Sequence, residues 1–271
     1  MDDIDRFLNE DLNEKGDITT NSLFLEEKAE ANIIANEESI LAGLSEAKNV
    51  FEKTGAKLTA NFKDGDGVKK KEIVAKVKGT ARAILTGERL ALNFICRMSG
   101  IATETKYLMD KCRKINPNVV VAATRKTTPG FRKYEKKAVR IASGDPHRYG
   151  LYDAVLIKDN HLKLTKSTPD TIIKIKQKVK NKIIEIEVEN EEQALQAAKV
   201  GLDFIMLDNF SPEKGKKIAE KIRTVNSNIR IEVSGGITSE NITNYASFAD
   251  RISLGYLTHS VKNKDFSLEI I

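Results

Sequence analysis

Apolar and polar positions alternate regularly from about residue 115 onward. Short apolar runs of strand length are separated by stretches whose apolar positions recur with helical spacing. The apolar runs are Val119–Ala123, Ala154–Ile157, Ile183–Val188, Phe204–Leu207, Ile229–Val233 and Ile252–Leu254. The amphipathic stretches between them are Phe131–Ile141, Thr168–Val179, Glu191–Val200, Pro212–Val225 and Ser239–Ala246. Alternating strands and helices predict parallel βαβ units. Six such strands without a GxGxxG turn favour a small barrel over a dinucleotide-binding sheet.

The first hundred residues follow a different pattern, which indicates a separate layer of short antiparallel strands. The elements expected here are strands at Ala29–Ala35, Lys57–Asn61 and Ile73–Val77, a helix at Leu44–Lys53 and a turn at Asp64–Gly67. A long helix from about Thr86 to Ile115 links the two parts. We predict a first domain over residues 1–105, joined by the tail 262–271 as an edge strand, and a barrel over 106–261.

Composition limits the kinds of ligand and the cellular location that fit this chain. The chain has 271 residues, 40% hydrophobic, with a net charge of +6, which suits acidic small molecules or nucleic acid. Aromatic residues are only 6% and Trp is absent, which weakens a single-strand-binding interpretation. No run reaches the ~20 apolar residues of a membrane span, so we expect a soluble, intracellular protein. Cys96 and Cys112 have no metal-ligand spacing and are interpreted as reduced helix residues.

Chemically active side chains follow the predicted strands, and parallel strands place their carboxyl ends on one rim. The residues at these ends are Arg125 and Lys126, then Lys158 to His161, then Asp208-Asn209, then Ser234-Gly235-Gly236, and finally Gly255. Strand three alternates Glu185, Glu187 and Glu189 with apolar residues, which predicts three carboxylates on one face. This agreement between strands indicates a functional rim.

Several cations on one rim imply a polyanionic ligand. The Ser-Gly-Gly turn exposes backbone N–H groups ahead of a helix, a suitable seat for a monophosphate. Glu187 and Asp208 fit three roles: holding sugar hydroxyls, holding hydrated Mg²⁺, or stabilising a developing positive charge. A purely structural ion pair is the alternative for them. His147-Arg148 fits a ligand contact as well as a structural role, and Arg89 fits an ordinary surface position.

A set of motifs in this chain resembles the quinolinate phosphoribosyltransferase family. They are Ala-Thr-Arg-Lys-Thr-Thr-Pro-Gly at 123–130, His147-Arg148, Leu-Ile-Lys-Asp-Asn-His at 156–161, Glu187, Leu-Asp-Asn-Phe at 207–210 and Ser-Gly-Gly at 234–236. Matching strings at 13–20 and 255–260 extend the resemblance over nearly the whole chain. The resemblance implies an α/β fold, with an N-terminal α/β sandwich domain and an incomplete parallel α/β barrel.

The resemblance also implies an activity and a set of roles. Phosphoribosyl pyrophosphate and quinolinate would give nicotinate mononucleotide, pyrophosphate and CO₂ in the cytoplasm, with Mg²⁺ as cofactor and neither nucleic acid nor membrane as partner. The protein would be a homodimer, with higher assembly left open, in which Arg89 reaches the partner's active site. The implied contacts are Arg125, His147, Arg148 and Lys158 for quinolinate, Lys126 for pyrophosphate, Glu187 and Asp208 for ribose and Mg²⁺ (directly or through water), and Ser234, Gly235, Gly236 and Gly255 for the 5′-phosphate.

One departure and three alternatives accompany this interpretation. The family has three glycines before the His-Arg pair, where this chain has Ala142-Ser143-Gly144, and their loss puts the loop geometry in question. The alternatives are a paralogue associated with molybdenum transport, another phosphate-binding barrel enzyme, and a basic RNA-binding protein. The Lys-Asp-Asn-His motif argues against the first. Cations gathered on strand ends argue against the last.

Overall fold

The computed structural model describes residues 2–165 and 167–271, which form two compact units. The first unit holds residues 2–104, 137–142 and 260–271, and the second holds 105–136 and 143–259. The helices are α1 (Asp3–Leu12), α2 (Ile18–Leu23), α3 (Leu44–Thr54), α4 (Ala81–Arg113), α5 (Arg132–Ile141), α6 (Asp159–Lys163), α7 (Thr168–Lys178), α8 (Glu191–Val200), α9 (Pro212–Val225), α10 (Thr243–Ala246) and α11 (Tyr256–His259). The strands are β1 (Lys28–Ala35), β2 (Ser39–Ile40), β3 (Lys57–Ala60), β4 (Gly67–Val68), β5 (Ile73–Thr80), β6 (Val120–Ala122), β7 (Val155–Ile157), β8 (Ile184–Val188), β9 (Phe204–Asp208), β10 (Arg230–Ser234), β11 (Arg251–Ser253) and β12 (Phe266–Ile270).

The first unit is built on an antiparallel sheet with strand order β12-β1-β5-β3. Ala31, Ile33 and Ala35 alternate along β1 and are fully buried, so one face of the sheet carries the core. The last strand returns to this sheet, since Phe266 lies opposite Ala35 and Ile270 opposite Ala31. The first and the last residues that the structure describes therefore both belong to the first unit.

The second unit is a six-stranded parallel sheet with strand order β6-β11-β10-β9-β8-β7. In chain order this is first, sixth, fifth, fourth, third, second, which is the order of a barrel opened between its first and second strands. Arg251 on β11 bonds Glu185 on β8 at 2.9 Å although two strands lie between them. The sheet therefore curves around these side chains. The expected α/β class with its incomplete parallel barrel is confirmed.

Two expectations about elements need correction, and two N-terminal helices were not predicted. The helix predicted at Ser239–Ala246 is reduced to the four residues of α10. The reason is a polar turn, in which the Asn241 side chain accepts from Thr238 N–H at 2.8 Å and donates to Gly236 O at 3.0 Å. The linking helix begins at Ala81 because the Thr80 hydroxyl accepts the N–H of Ala83. The sequence patterns also missed α1 and α2 entirely.

None of the helices in residues 2–165 and 167–271 combines the length and apolar character required to cross a membrane. Cys96 and Cys112 both lie on α4 as free thiols, as expected.

Candidate active site

A cavity of about 590 Å³ lies at the carboxyl ends of the parallel strands. It brings together eleven of the twelve predicted site residues: Arg125, Lys126, His147, Arg148, Lys158, Glu187, Asp208, Ser234, Gly235, Gly236 and Gly255. The twelfth, Arg89, is exposed on α4 in the other unit and is not a lining residue. The prediction of a rim shared by every barrel strand thus corresponds to one cavity.

The loop after β6 delivers the first two cations. Lys126 is exposed, and its backbone N–H donates to the Thr124 hydroxyl at 3.1 Å, which shapes the turn. The Nε of Arg125 is buried and has no hydrogen-bond partner among the described residues. Burying an unpaired guanidinium N–H is costly, so this group indicates an acceptor that arrives with a ligand.

His147 and Arg148 occupy a strained loop before β7. His147 has φ +52°, in the left-handed region, and its N–H donates to Asp145 Oδ1 at 2.7 Å. Its Nδ1 accepts the Arg148 N–H at 2.7 Å, so the ring in this geometry carries its proton on Nε2. Arg148 is buried, and its pKa is lowered by that burial and by the nearby charge of Arg125. The two guanidiniums therefore converge despite their repulsion.

Acidic and basic groups meet at the ends of β7, β8 and β9. Lys158 Nζ donates to Glu187 Oε2 at 2.7 Å. Burial, followed by the like charge of Glu187, raises the pKa of Asp208, and Lys158 and Lys126 oppose that rise. Two adjacent carboxylates on one wall of the cavity are oxygen donors that suit a hard divalent cation.

The turn after β10 exposes its backbone. Gly235 and Gly236 have φ of +86° and +61°, which side chains rarely adopt. A Cβ on Gly235 would lie 2.2 Å from Asn209 Oδ1, so the turn packs closely on the loop after β9. A Cβ on Gly255 would lie 2.9 Å from Lys126 Cδ, which joins the end of β11 to the basic loop. Ser234, Gly235, Gly236 and Gly255 all line the cavity, so no bulky side chain of this turn fills it.

A buried ion cluster adjoins the cavity, which two of its members, His147 and Glu232, also line. Arg251 bonds Asp145 at 3.1 Å, Glu185 at 2.9 Å and Glu232. His147 Nε2 lies 3.3 Å from Glu185 and 3.5 Å from Glu232. Burial alone would lower the pKa of His147, but these two carboxylates outweigh it and raise the pKa to about 9. At neutral pH this pKa favours a second proton, on Nδ1, which would break the hydrogen bond from the Arg148 N–H, so the loop conformation described here is that of the singly protonated ring.

The sequence patterns missed several lining residues and misplaced one carboxylate. Thr124, Ile237, Tyr256 and His259 also line the cavity. Thr124 and His259 lie within the family motifs at 123–130 and 255–260. The position of Thr124 beside a strand end could have identified it as a lining residue. The expectation that Glu189 shares the inward face is wrong, because β8 ends at Val188 and Glu189 is exposed, its N–H bonded to Gln193 Oε1 at 3.0 Å.

The departure at Ala142-Ser143-Gly144 has a specific structural form. Ser143 adopts φ +62°, the left-handed region that a glycine enters without cost. Ala142 is buried at 3% exposure, whereas Ser143 is exposed. This chain therefore makes the turn with a non-glycine residue, and the loop still delivers His147 and Arg148 to the cavity.

A second, more apolar cavity of about 920 Å³ adjoins the first. It lies beside β7, and the two cavities share Arg125, Arg148, Leu156 and Lys158. The shared residues include three cations, so an anionic group at this junction would meet positive charge from three sides.

Comparisons with known proteins match both halves of the chain to one family. Residues 17–99 match the model of the quinolinate phosphoribosyl transferase N-terminal domain, and residues 101–269 match that of the C-terminal domain. A probable nicotinate-nucleotide pyrophosphorylase [carboxylating] of Archaeoglobus fulgidus is 43% identical over 245 residues, 89% of this chain and 94% of the relative. The protein of the same name in Bacillus subtilis is 40% identical over 98% of this chain and 92% of its own length.

Solved structures agree with the sequence relatives. The nicotinate-nucleotide pyrophosphorylase of Francisella tularensis superposes with a TM-score of 0.92 at 36% identity, covering 99% of this chain and 94% of that one. The enzyme of the same name from Ehrlichia chaffeensis gives a TM-score of 0.91 at 37% identity, over 99% and 97%. With both domain models matched in order and these relatives aligned nearly end to end, the chain belongs to the quinolinate phosphoribosyl transferase family.

Proposed function

We propose that this chain transfers the phosphoribosyl group of phosphoribosyl pyrophosphate to quinolinate. The products are nicotinate mononucleotide, pyrophosphate and CO₂, in the de novo route to NAD. The observation that supports this most strongly is the single cavity in which four Lys and Arg side chains, three carboxylates and a glycine turn converge. Family membership and the names of the relatives support the same reaction.

The acceptor acid binds at the junction of the two cavities. Arg125, Arg148 and Lys158 line both, and they present two guanidiniums and one ammonium to the two carboxylates of quinolinate. The unpartnered Nε of Arg125 gains an acceptor there. His147 helps to hold Arg148 in place, because its Nδ1 accepts the backbone N–H of Arg148.

The donor lies toward β9, β10 and β11. The N–H groups of Ser234, Gly235 and Gly236, with those near Gly255, receive the 5′-phosphate, and Lys126 receives the pyrophosphate. Glu187 and Asp208 face the ribose between these two anionic groups. They would also hold Mg²⁺, directly or through water, and this ion would neutralise charge on the pyrophosphate when bound.

The chemistry follows from this placement. The quinolinate nitrogen attacks the anomeric carbon as pyrophosphate leaves, through an oxocarbenium-like transition state of the kind seen in glycoside chemistry. Glu187 and Asp208 stabilise the positive charge that develops on the ribose. The positive charge on the nitrogen, now quaternary, stabilises the electron pair left on the adjacent ring carbon when its carboxylate departs as CO₂, and that carbon then takes a proton from water to give nicotinate mononucleotide.

The acting form is a homodimer in the cytoplasm, with Arg89 of one subunit completing the acceptor end of its partner's cavity. This proposal is supported by the exposure of Arg89 and by family membership. The reaction needs neither nucleic acid nor membrane as partner.

The test is a direct assay with purified protein, quinolinate, phosphoribosyl pyrophosphate and Mg²⁺, following nicotinate mononucleotide by chromatography. We expect product that requires all three additions. Nicotinate and nicotinamide, offered in place of quinolinate, are the specificity controls. Absence of product with every acceptor would overturn the proposal and favour a paralogue without this activity.

A further inference from the structure

Among the charged residues at the start of α5, three contact the loops beside the cavity and have no role in the proposed reaction. They are Arg132, Glu135 and Lys136, and both Glu135 and Lys136 are completely buried. Charged side chains are seldom fully buried unless they are paired, so each needs a structural account. Their partners lie on the two loops that carry the acceptor-binding cations.

Arg132 and Glu135 contact the loop that follows β6, here called the front loop (residues 123–131). Arg132 Nε donates to the Thr127 hydroxyl at 2.9 Å. Glu135 accepts both the N–H and the hydroxyl of Thr128, each at 3.1 Å. Thr127 and Thr128 directly follow Arg125 and Lys126, so this turn of helix fixes the base of the front loop.

Arg132 and Lys136 also contact the loop before β7, here called the back loop (residues 143–149). Arg132 Nη1 donates to Tyr149 O at 3.1 Å, and Lys136 Nζ donates to Pro146 O. These two carbonyls flank His147 and Arg148 on either side. Arg132 therefore bonds both loops at once, through two nitrogens of one guanidinium.

From this geometry we infer that Arg132 and Lys136 are positioning residues for acceptor binding. They tie the back loop to the front loop, so that Arg148 and Arg125 face one space before any acceptor arrives. The identity of the acceptor in this inference rests on the proposed function. The connection between the two loops rests only on the hydrogen bonds described above.

The tie is needed because the two guanidiniums repel each other. The charge of Arg125 acts on Arg148 strongly enough to lower its pKa, after the larger effect of burial. His147 is held at φ +52° between these contacts, a conformation that persists only where the surroundings impose it. Without the tie the loops would separate, and acceptor binding would have to reassemble them at a cost in affinity.

The experiment compares Lys136→Met with Lys176→Met. Both changes remove an ammonium that reaches from a helix to a loop carbonyl, since Lys176 Nζ donates to Gly201 O at 3.0 Å, but Lys176 does not line the cavity. In the ligand-free protein, hydrogen exchange of residues 143–149 should accelerate about tenfold or more in Lys136→Met and stay unchanged in Lys176→Met.

Steady-state kinetics then separate positioning from general stability. Lys136→Met should raise KM for quinolinate by about tenfold or more while KM for phosphoribosyl pyrophosphate changes by less than about twofold. Arg132→Lys, which keeps the charge but offers a single donor atom, should show the same split in weaker form. It also serves if Lys136→Met does not fold.

The outcomes are distinguishable. Unchanged exchange in the back loop would overturn the tie, and equal rises in both KM values would show that Lys136 only stabilises the fold. A wild-type protein that ignores quinolinate would overturn the proposed function, while the exchange result would still decide the tie.

Discussion

Among the cations of the cavity, Lys158 has surroundings that allow its contributions to activity and to stability to be separated. It follows β7, lines both cavities and donates to Glu187 Oε2 at 2.7 Å, and its side chain is 44% exposed. Its partner Glu187 is only 11% exposed, but both side chains line the open cavity, where water can replace the ammonium, so the pair contributes little to the free energy of unfolding, about 1 kcal/mol or less. A positively charged group at the junction of the cavities contributes mainly to the binding of anions.

The change Lys158→Ala should therefore separate activity from stability. We expect kcat/KM for quinolinate to fall by about two orders of magnitude or more, because one of the three cations that bind the acceptor carboxylates is lost. The free energy of unfolding in urea should change by about 1 kcal/mol or less. Lys163→Ala, which removes a comparable exposed ion pair with Asp159, is the matched control. An active, fully folded Lys158→Ala protein would remove Lys158 from the site.

Single residues also show what the sequence could and could not predict of the site. Arg125, Lys158 and Asp208 were predictable because parallel strands end on one rim, whatever the details of packing. The partners of Glu185 were not, since Arg251 begins a strand 66 residues later and only the curved sheet brings the two together. Glu189 was wrongly placed because the alternating pattern continues past Val188, where the strand ends.

At the scale of elements, the barrel interior depends on one strand residue. Arg251 on β11 bonds carboxylates from β8 and β10 and from Asp145, and it is only 6% exposed. Burial lowers its pKa, but Glu232 and then Glu185 outweigh burial and raise it. Removing a buried cation leaves its acidic partners unpaired, which is far more costly than losing a surface charge.

Arg251→Met and Arg230→Met form a matched pair for testing this. Both guanidiniums lie over the ring of Phe204, at 3.8 Å and 3.9 Å from its centroid, but Arg230 is exposed. We expect Arg251→Met to lower the free energy of unfolding by about 3–5 kcal/mol. Arg230→Met should lower it by about 1 kcal/mol or less. Equal losses in urea denaturation would show that stacking on Phe204, rather than the ion cluster, is what Arg251 contributes.

The helices differ in how well the local sequence pattern predicts where they begin and end. The bounds predicted for α8 and α9 match the structure, because Asn190 and Ser211 accept N–H groups at the helix starts and the apolar spacing is regular. The helix predicted over Ser239–Ala246 fails because Asn241 satisfies backbone groups of the preceding turn. Helix α1 escaped detection although Asp2 and Asp5 form a capping box, since its apolar face is short.

The whole molecule raises the question of where the twelfth predicted site residue acts. Eleven of these residues line one cavity in the second unit, whereas Arg89 is exposed on α4 in the first. In a two-fold dimer each subunit can supply a residue to the site of the other. In the proposed homodimer we assign Arg89 to the partner's cavity, and this assignment can be tested with mixed dimers.

The test joins two inactive variants, Arg89→Ala and Lys158→Ala, in one dimer by co-expression with two different affinity tags. A doubly tagged dimer with Arg89 acting in the partner has one intact site, which combines Lys158 of one subunit with Arg89 of the other, and one site lacking both. It should recover about half of the wild-type activity per dimer. If Arg89 serves its own subunit, both sites stay defective and no activity returns. Failure to capture a doubly tagged species would contradict the dimer itself. Because recovery requires two separately defective chains to complete one cavity, no change in stability can imitate it.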